Sequence, residues 1–78
     1  MKIRVLLKTP LYRQRSKDDT PYLAGNVTEV RGTAEARDGG LDVRVDGMFN
    51  EKGVAVETTI VRLFLPLAKV DYYIVDDK

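Results

Sequence analysis

The chain has neither cysteine nor histidine among its 78 residues. Without cysteine it can form no disulfide and no thiolate metal site. Without histidine it lacks the commonest general base, the commonest metal ligand and the usual partner of a catalytic serine. These two absences predict a protein that is not an enzyme and that binds no metal or other cofactor.

Long apolar stretches are missing as well. No run approaches the roughly 18 apolar residues of a membrane-spanning helix. The basic start at Lys2 and Arg4 is not followed by the apolar region of a signal peptide. We therefore expect a cytoplasmic protein with no membrane partner and with a single domain over residues 1–78. Because so short a chain builds a thin core, oligomerisation is an expected source of further stability.

Acidic residues are absent from the N-terminal segment, although the whole chain carries 13 basic and 12 acidic side chains. A segment of one charge sign is a candidate face for an anionic partner. A solvated hairpin that happens to be basic would show the same composition. The basic residues of segment 1–17 are Lys2, Arg4, Lys8, Arg13, Arg15 and Lys17.

No segment shows the apolar spacing of a helix over three turns, and alternation dominates instead. Ile3, Val5 and Leu7 alternate with polar or basic neighbours, which predicts a first strand. Pro10 should end or bend it, because proline cannot donate to a ladder. Further strands are expected over residues 23–30, 41–49, 54–65 and 70–75, with an extended basic hairpin or loop at 9–22 and a flexible loop at 32–40.

These elements predict an all-β fold, a small, strongly bent five-stranded antiparallel barrel of the Sm-like or SH3-like kind. A bend is expected after Gly25, because Val27 and Val30 break the alternation of the second strand. Val43 and Leu63 should point into the barrel. Val61 and Leu65 are expected on the same face as Leu63.

The last two predicted strands are apolar on both faces, which is typical of strands buried on both sides. In so small a barrel the second face needs a cover, either a partner subunit or the long loop. The first alternative predicts a homo-oligomer. Its interface residues would be Ile60, Phe64, Tyr73 and Val75.

Three stretches, 25–30, 38–45 and 64–74, read GNVTEV, DGGLDVRV and FLPLAKVDYYI. They resemble motifs of the Sm-like (Lsm) family, loosely and over about residues 23–75. The resemblance implies a five-stranded barrel, assembly into a ring and binding of RNA.

Several positions depart from the family pattern. Asp42 stands where the family has a base-contacting asparagine, and Pro66–Leu67 where it has an arginine-glycine pair. The first strand begins at Lys2, which leaves no room for the family's N-terminal helix. The resemblance therefore supports a fold and a ring more than it supports an RNA pocket.

Candidate catalytic groups are few. Asp42 and Asp46 share a strand face but lie about 13 Å apart, too far to act on one bond. Ser16 is the only serine, and no base lies in its turn. No phosphate-binding loop sequence follows the glycine pair at 39–40.

The segment 11–17 combines a tyrosine with three cations. Arginine and lysine neutralise phosphates, and tyrosine can stack on an unpaired base. Two functions remain open. One is an oligomeric barrel that binds single-stranded RNA or DNA through its basic hairpin, and the other is a structural or protein-interaction subunit without nucleic acid. The candidate nucleic-acid-binding residues are Lys8, Tyr12, Arg13, Arg15 and Lys17.

Overall fold

The computed structural model describes residues 1–15 and 21–76. Five strands form one antiparallel sheet in the order β4-β3-β2-β1-β5, and no α-helix occurs within these two ranges. The predicted all-β, five-stranded fold is confirmed. The strands are β1 (Lys2–Leu11), β2 (Val27–Arg37), β3 (Gly40–Phe49), β4 (Arg62–Pro66) and β5 (Val70–Val75), with a 3-10 helix (Leu67–Lys69) between the last two.

The sheet is not closed into a continuous barrel. β4 pairs with β3, and β5 pairs with β1. In the part of the chain that the structure describes, no ladder joins β4 to β5. Each of these strands therefore keeps one edge whose backbone groups have no ladder partner.

The first strand, β1, follows the predicted alternation. Ile3 and Val5 are fully buried, and Leu7 packs partly buried against the same core. β1 runs past Pro10 to Leu11, further than expected, and its register against β2 shifts between Leu6 and Leu11. This shift faces the β2 residues from Val27 to Glu29. The extra residues of this irregularity lie on β1 and not on the second strand, where the bend after Gly25 was expected, and β2 itself begins only at Val27.

β2 differs from its prediction. The strand begins at Val27 and not at Leu23, and it continues to Arg37 through residues that we expected to be a flexible loop. Residues 32–37 alternate small inward residues with polar outward ones. This pattern did not predict a strand, because glycine and alanine have low strand propensity. Gly32 and Ala34 are buried where Thr33 and Glu35 are exposed.

The fourth strand is also shorter than predicted. β4 occupies only 62–66, and residues 54–61 form an irregular connecting segment with isolated bridges at Ala55 and Thr58. Val61, expected beside Leu63 on the inner face, is 72% exposed. Valine and threonine favour extended backbone, but the backbone groups of this segment form hydrogen bonds with several different neighbours and not with one adjacent strand.

The inner face of the sheet forms the hydrophobic core. Val43 is fully buried and Leu63 packs partly buried against it, so both point inward as predicted. Burial of apolar surface is the main stabilising contribution in a domain of this kind. The buried core residues are Ile3, Val5, Leu23, Val27, Val30, Ala34, Leu41, Val43, Met48, Leu65 and Val70.

Candidate functional site

The edge strand β5 exposes apolar side chains on both of its faces. Tyr73 and Val75 pair with Val5 and Ile3 of β1 and so lie on the inner side, yet both are exposed. Tyr72 and Ile74 are exposed on the outer side. No strand lies beyond β5 in the described structure, so its outer edge leaves these side chains uncovered.

The opposite edge strand, β4, presents Phe64. Its ring is 48% exposed and lies on the outer face, while Leu63 and Leu65 point inward. The ring passes over Gly40 of β3, where a Cβ would lie only 2.7 Å from the ring's Cζ atom. The missing side chain at Gly40 therefore lets Phe64 rest on the sheet with nearly half of its surface in solvent.

The four predicted interface residues do not share one surface. Phe64 lies on the β4 edge, whereas Tyr73 and Val75 lie on the β5 edge. Ile60 is half-buried against the core in the connecting segment 54–61, because this segment does not continue β4 as expected. Sequence reasoning missed Tyr72 and Ile74 as edge residues, although their place in a strand apolar on both faces was a usable signal.

The base of the basic hairpin is held by two backbone hydrogen bonds. The N–H of Gln14 donates to the carbonyl oxygen of Leu23 at 2.9 Å, and the N–H of Leu23 donates to that of Gln14 at 2.8 Å. Leu23 is fully buried and anchors this pair in the core. Residues 16–20, and with them the candidate Lys17, lie outside the described residues.

A second set of hydrogen bonds ties the hairpin to the connecting segment 54–61. The N–H of Tyr22 donates to Oγ1 of Thr59 at 2.9 Å, and Oγ1 of Thr58 donates to the carbonyl oxygen of Tyr22 at 2.8 Å. The N–H of Ala24 donates to the carbonyl oxygen of Glu57 at 2.9 Å. The irregular path of 54–61 therefore positions the hairpin on the body of the protein.

Two of the predicted cations line a shallow cavity of about 220 Å³ beside this base. Arg13 and Arg15 lie along it with Tyr22, and both arginines are exposed. Tyr12 is 64% exposed next to them. These predicted residues are brought together, while Lys8 is exposed further back on β1.

One cation beside β1, Lys69, was not predicted from the sequence. Nζ of Lys69 donates to Oγ1 of Thr9 at 2.8 Å. Lys69 therefore lies beside β1, at the residue that follows Lys8 in the chain. Its position depends on the return of the chain from β4 into β5, which composition does not show. Lys69 therefore adds a positive charge beside the end of β1.

A different charged cavity, of about 360 Å³, lies on the outer face of β2, β3 and β4. At its centre Asp42 accepts hydrogen bonds from Nε and Nη2 of Arg62 at 3.1 and 2.7 Å. The Arg62 guanidinium holds the pKa of the Asp42 carboxyl below its ordinary value, and the carboxylate raises the pKa of Arg62. Asp42 is therefore engaged in an ion pair of this chain.

The open edges, the basic hairpin and this charged cavity are the surface features of an all-β protein. No protein-family model, curated protein or solved structure matches the chain. The Sm-like resemblance remains a prediction from short motifs. No helix in the described ranges has the length and apolar character of a membrane span.

Proposed function

We propose that copies of this chain assemble into a homo-oligomer of the Sm-like kind by pairing β4 of one copy with β5 of the next. One observation carries the proposal: both unpaired strand edges of the sheet bear large exposed apolar side chains. An exposed apolar edge is a template for pairing with another chain, and proteins usually protect or use it. A second copy supplies the partner edge that each strand lacks.

Such pairing is head-to-tail, because β4 and β5 lie at opposite ends of the sheet. A head-to-tail contact produces a ring if its rotation closes and a filament if it does not. Strand lengths match, with 5 residues in β4 and 6 in β5.

Phe64→Glu is expected to convert the oligomer into a monomer. An unpaired carboxylate buried in the apolar contact is expected to destabilise the assembly by about 3–5 kcal/mol, the general cost of an uncompensated buried charge. Light scattering after size-exclusion chromatography measures the mass directly. Val54→Glu is the matched control, because Val54 is 57% exposed and belongs to neither edge strand.

The wild type should have a mass of several chains at micromolar concentration, and Val54→Glu should keep it. A monomeric wild type contradicts the assembly. Equal dissociation by Val54→Glu and Phe64→Glu also contradicts it, because the contact would then not lie at the sheet edges.

The basic surface supports a second candidate function, binding of single-stranded nucleic acid by the hairpin. The observation that favours it is the shared cavity of Arg13, Arg15 and Tyr22, with Tyr12 exposed beside it. Cations along a backbone and an aromatic ring for base stacking are the usual elements of such a surface. We expect little sequence preference, because Asp42 and Pro66–Leu67 replace the base-contacting residues of the Sm-like pattern.

Replacing both Arg13 and Arg15 by Glu is expected to abolish most binding to a single-stranded oligonucleotide without unfolding the protein. Both side chains are exposed, so charge reversal removes phosphate contacts and leaves the core intact. Fluorescence anisotropy at increasing salt measures the affinity. The affinity should fall steeply, because phosphate contacts release counterions and added salt makes that release less favourable. Tyr12→Ala should weaken binding by about 1–3 kcal/mol if a base stacks there.

Lys52→Glu, compared with Arg15→Glu alone, is the control, because it makes the same charge change at an exposed turn. Similar weakening by both variants would show nonspecific attraction to the whole protein. No detectable binding at low salt, where attraction is strongest, would exclude this candidate. The structural or protein-interaction role would then stand alone.

A further inference from the structure

The charged cavity on the outer face arises from the register of three strands. Arg44 of β3 lies directly opposite Thr33 of β2 and directly opposite Arg62 of β4. In the adjacent row, Asp42 pairs with Glu35. The residues that line the cavity are Thr33, Glu35, Arg37, Asp42, Arg44 and Arg62.

The pairing of Arg44 with Arg62 places like charges opposite each other, which destabilises a sheet. Two of the three arginines are compensated by acids within the cavity. Arg62 binds Asp42, and Arg37 pairs with Glu35 at 2.8 Å. The side chain of Arg44 makes no hydrogen bond or salt bridge to any residue within 1–15 and 21–76, and it acts on the Asp42 carboxylate only by longer-range attraction, which helps to lower the pKa of Asp42. The cavity thus keeps one guanidinium whose N–H donors have no partner among the described residues, beside a second that is already oriented.

We propose that this cavity binds a phosphate dianion, held by Arg44 and Arg62 with the hydroxyl of Thr33. Arg44 supplies the guanidinium fork that matches phosphate oxygens in pairs, and a charge-assisted bond of this kind is stronger than a neutral one. Arg62, whose Nε–Nη2 edge is held by Asp42, adds its charge and its remaining N–H donors. An anion between Arg44 and Arg62 also removes their repulsion. The held geometry of Arg62 reduces the entropy lost on binding.

The size and charge of the cavity favour a small ligand. About 360 Å³ lies within the usual range of ligand pockets and exceeds the need of one phosphate group. Glu35 and Asp42 would repel an extended polyanion, but their oxygens can accept hydrogen bonds from sugar hydroxyls. The bound phosphate therefore belongs either to free inorganic phosphate or to a sugar phosphate.

Phosphate binding in this cavity does not require subunit assembly. Pairing at the edges of β4 and β5 extends the sheet sideways and leaves the outer faces of β2 and β3 accessible. It is also separate from nucleic-acid binding, because the hairpin residues Arg13 and Arg15 do not line this cavity.

Isothermal titration calorimetry at low salt tests the site with three probes: inorganic phosphate, ribose 5-phosphate and ribose. We expect saturable binding of both phosphates and none of ribose. Tighter binding of ribose 5-phosphate identifies a sugar phosphate as the source, and equal or tighter binding of inorganic phosphate identifies free phosphate. Arg44→Gln should lower the affinity for whichever phosphate binds by about tenfold or more, since it removes a charged hydrogen bond.

Arg44→Lys keeps the charge but loses the fork, so its affinity should fall between those of the wild type and Arg44→Gln. Lys52→Gln is the charge-matched control and should bind as the wild type does, because Lys52 is exposed in the turn at 50–53 and does not line the cavity. Circular dichroism checks that each variant is folded. Absence of saturable phosphate binding overturns the proposal, and so does an equal loss of affinity in Arg44→Gln and Lys52→Gln.

Discussion

Alanine at position 32 is expected to displace β3 from β2 and to remove much of the stability of the protein. A Cβ on Gly32 would meet the carbonyl oxygen of Arg44 and come within 3.2 Å of the backbone nitrogen of Asp46. These are backbone atoms of the neighbouring strand, so no flexible side chain can move aside. The β2–β3 register also shifts at this point, between Arg31 and Gly32, where the strands are already fitted closely.

The expected loss in free energy of unfolding is about 3 kcal/mol or more, at the upper end for overpacking. A natural domain of this length is stable by only about 4–12 kcal/mol, so the loss is large. Urea denaturation followed by circular dichroism measures it. Gly25→Ala is the control, because the nearest atom to its added Cβ is a Val56 methyl at 3.9 Å. Equal stability of the Gly32→Ala variant and the wild type would mean that the two strands do not approach as described.

Leu65→Ala is expected to cost about 2–5 kcal/mol, the range for emptying a leucine site in a core. Leu65 is 1% exposed and pairs with the buried Leu41 on β3. Because β4 is an edge strand of five residues, Leu65 is its one fully buried contact with the core. Leu63→Ala should cost less, since Leu63 is only partly buried.

Both free energies of unfolding must be compared at one protein concentration, because oligomerisation makes apparent stability depend on concentration. Val61→Ala is the exposed control on the same stretch of chain and should change stability by less than about 0.5 kcal/mol. If Leu63→Ala proved as damaging as Leu65→Ala, subunit contacts would have to bury Leu63 further. If Leu65→Ala left the free energy of unfolding unchanged, the assignment of Leu65 to the inward face of β4 would be wrong.

Strands β1, β3 and β5 were predictable from the sequence. In β3, for example, Leu41 and Val43 alternate with Asp42 and Arg44, and the pleat of a strand turns such a pattern into one buried and one wet face. The turns at 38–39 and 50–53 were marked by aspartate, asparagine and glycine. Gly39 has a φ of 82°, which glycine adopts without steric cost.

The second and fourth strands were misplaced for opposite reasons. Residues 32–37 carry small side chains of weak strand propensity, yet Gly32 and Ala34 suit the inner face because β3 passes so close. Residues 54–61 are rich in valine and threonine, yet their backbone hydrogen bonds go to separate neighbours such as Tyr22 and Met48. Propensity describes one residue, whereas pairing depends on the strand that lies alongside.

By itself the sequence determined the all-β class, the basic character of the hairpin and the two-sided apolar pattern of the last strand, because each depends on residues that are neighbours in the chain. Only the tertiary structure decided that β4 and β5 are the two open edges and that Arg44 lies between Thr33 and Arg62. The physical reason is that the register between strands sets which distant side chains meet, and a shift of one residue would turn every one of them to the other face.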